Sequence, residues 1–93
     1  MAAQSGKKTV TTAGTEVALG TIQINGPLMV KALIANTGTI YVGNNGDGTV
    51  ASTTGLELSA GDCIVFEWVG SLASIMIDSS VNGEGVSWIA LNF

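Results

Sequence analysis

The sequence predicts an all-β fold: a compact β-sandwich of jelly-roll type, with about eight short antiparallel strands and no substantial helix. Three observations lead there. Short runs of β-branched, aromatic and other apolar residues recur about every 8 to 12 residues, the spacing of sandwiches and barrels. Between them fall 13 glycines, several beside Asn, Asp or Ser, as turns require. No stretch repeats its apolar residues with the 3.6-residue period of an amphipathic helix.

The middle of the chain carries this pattern most clearly. Residues 28–35, LMVKALIA, are apolar apart from Lys31, as expected of a strand covered on most of both faces. Residues 39–42, TIYV, return with β-branched and aromatic side chains. Asn36-Thr37-Gly38 between them suits a three-residue hairpin loop with Gly38 in the left-handed position. The expectation is a central hairpin over residues 28–43.

Upstream, residues 7–12 and 16–19 form two β-prone runs around a turn at Ala13-Gly14-Thr15, and residues 21–24 continue the alternation. Asn25-Gly26 then turns the chain, and Pro27 removes a ladder donor. Downstream, residues 43–48 read as an exposed loop and 49–52 as a short strand. Residues 56–58 are expected to place Leu56 and Leu58 in the core. After a turn at 59–62, CIVFEW at 63–68 alternates, and its bulkier set, Ile64, Phe66 and Trp68, is expected to face inward. Residues 72–78 supply the next strand, 81–85 a tight connection, and 86–92 the last strand, with Val86, Trp88 and Ala90 sharing a face.

The 93 residues fit one domain: a flexible N-terminal arm at 1–8 and a single β-sandwich domain at 9–93. The composition is apolar for so small a body, 46% hydrophobic and 11% charged where about 25% charged is usual. Part of the surface is therefore expected to be covered, most simply by copies of the same chain. A surface of Gly, Ala, Ser and Thr is the plainer alternative.

Seven acidic residues oppose three basic ones. A body of this sign repels phosphates, so neither nucleic acid nor an anionic membrane is expected as a partner. The start, MAAQSGKK, has no apolar signal region, and no apolar run is long enough to span a bilayer. Cys63 is the single cysteine, which excludes an internal disulfide framework.

Little in the chain carries catalytic chemistry. Histidine is absent, which removes the Ser-His-Asp and Cys-His arrangements. Cys63, in a strand pattern, reads as a small buried hydrophobe. The acids, Asp47, Asp62, Asp78 and Glu84 among them, fall mostly in turns or at strand ends and read as solvated. The loop Asn44-Asn45-Gly46-Asp47-Gly48 offers oxygen ligands without the spacing or distal glutamate of a calcium loop. No catalytic, cofactor-binding or metal-binding residue is assigned, and no small-molecule substrate is expected. Interface candidates are Lys7, Lys8, Tyr41, Trp68 and Trp88, the aromatics because Trp and Tyr are enriched where subunits meet, with core packing as their default reading. Exposed loop candidates are Asn44, Asn45, Asp47, Asn82 and Glu84.

Three phrases occur in order: NTGTIYVG at 36–43, GLELSAGD at 55–62 and GEGVSW at 83–88. Together with TVTTAGT at 9–15, this set resembles the small β-sandwich virion proteins of tailed bacteriophages. The resemblance spans about residues 9–91 and rests on the ordered set, since each phrase is short. It implies a non-enzymatic structural role as a capsid decoration or cement protein that binds the head surface and stabilises it. It also implies a homo-oligomer, with a trimer favoured by the three-fold positions of capsids, bound to the major capsid or another virion protein. The expected location is the capsid surface of the virion after synthesis in the host cytoplasm. The alternative is a receptor- or glycan-binding module of a fibre or tail component, using the 43–48 and 81–85 loops.

Overall fold

The computed structural model describes residues 2–44 and 54–92. In chain order the elements are β1 (Ala2–Val10), β2 (Val17–Ala18), β3 (Gln23–Ala32), β4 (Ile40–Asn44), β5 (Leu56–Leu58) and β6 (Cys63–Ser71). A 3-10 turn at Leu72–Ser74 leads to β7 (Ile75–Ser79) and β8 (Glu84–Asn92). They form two four-stranded sheets, ordered β1-β8-β3-β6 and β2-β7-β4-β5. All pairings are antiparallel among the described residues. The outer pairs nest: β1 with β8, β2 with β7, β3 with β6 and β4 with β5. Asn45 and Asp47, and the strand expected at 49–52, lie outside the described residues.

The two sheets enclose one core. From the first sheet Ile24, Leu28, Val30, Ala32, Val86, Trp88 and Ala90 point inward, and from the second Ile40, Val42, Leu58, Ile75 and Ile77 meet them. Alternation is the cause: these residues occupy every second position of their strands, so one face of each ribbon is removed from water. Trp88 is only 8% exposed. Its indole lies over Gly6 on the neighbouring strand, where an added Cβ would stand 3.0 Å from the ring. A side chain at residue 6 would displace it.

The central hairpin does not form. β3 belongs to one sheet and β4 to the other, so residues 33–39 cross between sheets instead of closing a tight loop. The Asn36 N–H bonds back to the Leu33 carbonyl at 3.0 Å, which folds 33–36 into a turn of its own. Asn36 is buried, and its amide bonds both backbone groups of Gly85, donating to the carbonyl at 2.9 Å and accepting from the N–H at 3.4 Å. The crossing segment is thus satisfied by the start of β8.

Five further expectations change. Trp68 does not face the core and is 66% exposed. Leu28 opposes Phe66 and Gly26 opposes Val69, leaving Glu67 and Trp68 together opposite Pro27. Two residues facing one make a β-bulge, after which the alternation shifts phase by one. Phe66 therefore packs against the core, Glu67 and Trp68 are exposed, and Val69 is buried again. Pro27, which has no N–H to give a ladder, stands where the regular pairing breaks.

Cys63 is exposed, not buried, because it opens the edge strand β6 on the side facing away from the other sheet, opposite Lys31. Leu56 is exposed on the edge strand β5, and only Leu58 reaches the core. Asp78, expected as a solvated acid, is buried; its Oδ1 accepts from the Gly14 N–H at 3.0 Å and the Ser79 N–H at 2.8 Å. Gly14 reaches it from a turn that needs its positive φ of 88°. The flexible arm expected at residues 1–8 is, from Ala2 onward, in register with β8, Ala2 opposite Asn92 and Lys8 opposite Val86.

Candidate functional site

The outer face of the β1-β8-β3-β6 sheet is the most distinctive surface. Its outward residues stand in rows across all four strands. One row is Ser5, Ile89, Met29 and Val65; the next is Lys7, Ser87, Lys31 and Cys63. Ala3 and Leu91 pair on the far side of the first row, and Glu67 and Trp68 flank it at the bulge. Met29, Val65, Ile89, Leu91 and Trp68 are all exposed, Val65 at 59% and Ile89 at 51%. In an ordinary sandwich these positions would be polar, because the outer face of an antiparallel sheet meets water.

The patch is shaped as well as apolar. A concavity of about 200 Å³ lies among Pro27, Met29, Val65, Ile89 and Leu91. Beside it a second hollow of about 350 Å³ is lined by Lys7, Lys31, Ser87 and the 32–35 turn, which carries the exposed Ile34. Two of the chain's three basic residues therefore border the apolar stripe, with Glu67 as the acid at the opposite corner. The other sheet presents a different exterior. There the half-buried Tyr41 stands between Glu57 and Asp78 in the cross-strand register.

At one end of the sandwich, Glu84 closes the crossing segment. Its Oε2 accepts from the Thr37 N–H at 2.6 Å and the Thr37 hydroxyl at 2.9 Å, and its Oε1 accepts from the Gly38 N–H at 2.8 Å. The two backbone N–H bonds favour the ionised form and hold the carboxyl below the ordinary value of 4.5. Nearby, Asn82 Oδ1 accepts from the Ala13 N–H at 2.7 Å, and the Gly83 N–H bonds the Val10 carbonyl at 2.8 Å.

The interface candidates thus separate. Lys7 and Trp68 lie on the apolar outer face. Lys8 alternates to the other side of β1, opposite Val86. Trp88 is in the core, and Tyr41 is on the opposite sheet. Among the loop candidates Asn44 ends β4, while Asn82 and Glu84 tie turns together. Met29, Val65, Ile89 and Leu91 were not singled out from the sequence. Their signal was present: WIAL at 88–91 and IVF at 64–66 are apolar at consecutive positions, so whichever face is buried, the other stays apolar. No helix among the described residues is long and apolar enough to cross a membrane. Comparison with known protein families, curated proteins and solved structures finds no match to this chain.

Proposed function

We propose that this chain is a non-enzymatic structural protein of a phage particle, a decoration or cement protein that binds the head surface as a homo-oligomer and stabilises it. The observation that carries the reading is the apolar outer face built by Met29, Val65, Ile89, Leu91 and Trp68, in a chain with few charges and the ordered turn phrases described above. Those phrases fall where the fold needs them: NTGT in the crossing between sheets, LSAGD in the turn entering β6, and GEG at the entry to β8. We further propose a jelly-roll sandwich. Nested pairs in two sheets ordered 1-8-3-6 and 2-7-4-5 are what results when one long antiparallel ribbon is folded over into two layers.

The mechanism is linkage. A protein that buries surface only on the assembled head stabilises that state over the ruptured one, in proportion to its occupancy. Contacts repeated over many capsid positions add by effective concentration. The test is the disruption temperature of undecorated heads with and without the purified chain. A rise that saturates with added protein supports the reading, and heads that neither bind it nor gain stability refute it.

One observation favours the receptor- or glycan-binding alternative. The exposed Trp68 stands near Gly70 and Asn25, whose Oδ1 accepts from Gln23 Nε2 at 3.4 Å. An aromatic ring beside side-chain amides suits a sugar. Saturable binding on a glycan array, lost in Trp68→Ala, would select it.

A further inference from the structure

We infer that the outer face of the β1-β8-β3-β6 sheet is covered by the same face of a second copy of this chain, the two sheets crossing at about 90° around a two-fold axis. This deepens the homo-oligomer part of the proposed function and rests on it. Lys7 is on the edge strand β1, in the row beyond Ile89 and Met29. Glu67 is on the opposite edge strand β6, on the other side of that row. The two therefore occupy opposite ends of one diagonal of the face, with the apolar stripe between them.

A two-fold axis laid along the other diagonal, from Ala3 to Cys63, exchanges the ends of the first. Each Lys7 then faces the partner's Glu67, twice per dimer. The apolar centre falls on the apolar centre: Ile89 and Met29 lie near the axis and meet their own counterparts. Lys31 falls on the partner's Val65 edge, so lysines do not face lysines. Parallel face-to-face packing fails this test, because an axis along or across the strands leaves Lys7 opposite Cys63 or Ala3 and Glu67 without a cation.

Shape agrees with charge. The twist of a β-sheet makes two opposite corners approach a partner and two recede. With β3 running toward Lys31 and β8 bonded on that residue's side, the approaching corners are those of Ala3 and Cys63, which carry small side chains. The receding corners carry Lys7, Glu67 and Trp68, long enough to span a wider gap. The molecule measures 35 × 28 × 19 Å, so its broad face can supply the roughly 800 Å² per partner of a stable interface. The self-matching layout selects a closed dimer over the trimer suggested by capsid symmetry.

Sedimentation equilibrium on the full chain, without heads, tests this separately from the capsid reading. The expected result is a dimer that Ile89→Asp converts to monomer while its folded circular-dichroism spectrum is kept. Lys7→Glu and Glu67→Lys each weaken it roughly tenfold, and the double swap restores it to near the wild-type constant. A wild-type monomer or trimer overturns the inference, as does a swap that fails to restore association. Loss of head binding in Ile89→Asp with a monomeric wild type also overturns it, and makes the capsid the occupant of this face. A dimer that ignores heads leaves the inference standing and removes the proposed function.

Discussion

Glu84 and Thr37, separated by 47 positions, are joined through one carboxylate oxygen that accepts both the backbone N–H and the hydroxyl of the threonine. The second oxygen holds Gly38. The carboxylate thereby fixes where the chain passes from the first sheet to the second.

That arrangement predicts a pH dependence. Because the folded-state carboxyl titrates below its ordinary value of 4.5, its contribution is fully present above that value and is lost as pH falls through the lower, folded value. Glu84→Gln should lower Tm by several degrees at neutral pH, since an amide cannot accept at both positions. The difference between the two proteins should shrink as the pH drops below the ordinary carboxylate range. A Tm gap independent of pH would show that the charge is not the cause.

The Asn36–Gly85 pair predicts a larger effect. Asn36→Ala removes a buried amide that bonds both backbone groups of Gly85, at a cost of about 2 kcal/mol. Gly85→Ala is worse, because its Cβ would overlap the carbonyl oxygen of Lys8 and press on the Thr9 backbone. Backbone atoms in a paired strand cannot step aside, so about 3 kcal/mol is expected. Urea unfolding measures both, and an Asn36→Ala midpoint equal to wild type would contradict the role given to the amide.

The two tryptophans should behave as opposites. Trp88→Ala, which empties a buried site beside Gly6, should cost about 3 kcal/mol or more. Trp68→Ser should change monomer stability by no more than about 0.5 kcal/mol. In fluorescence, acrylamide should quench Trp68 in a Trp88→Phe background far more strongly than Trp88 in Trp68→Phe. Equal quenching would place the two rings in similar surroundings.

Within the core, Ile77→Ala deletes methyl groups from a fully buried position on β7 between β2 and β4. The expected loss is about 3 kcal/mol with an unchanged fold, read from the urea midpoint at constant slope. Leu56→Ala on the exposed edge strand should cost a small fraction of that.

These contrasts mark what the sequence makes legible. Two-residue alternation put Val86, Trp88 and Ala90 on one face, because burial on one face leaves a period that survives any arrangement of the strands. Residues 28–35 were instead expected to be covered on most of both faces, whereas Met29 and Ile34 are exposed. Alternation did not locate the bulge at Glu67–Trp68, since a single inserted residue resets the phase without changing composition. Cys63, on the outward side of an edge strand, read as buried only because cysteine is a small apolar residue. A bend was expected at Asn36-Thr37-Gly38, but the hydrogen-bonded turn lies at 33–36, Gly38 does not take the left-handed conformation, and the segment has other partners than a hairpin would give it. Local chemistry specifies a bend, whereas Glu84 and Gly85, which decide what the bend connects, lie far along the chain. The outer apolar face was visible only as an excess of hydrophobic residues and in the unbroken apolar runs at 64–66 and 88–91, because its rows come from four strands brought together by the fold.

The central claim, that copies of this chain meet through that face, is tested most directly by the single exposed thiol. A two-fold axis through the Cys63 corner sets each sulfur against its counterpart. Coupling by a short bismaleimide should therefore give covalent dimer at least roughly tenfold faster in the wild type than in Ile89→Asp at the same concentration, the difference being effective concentration within the dimer. Equal coupling rates in the two proteins would contradict it.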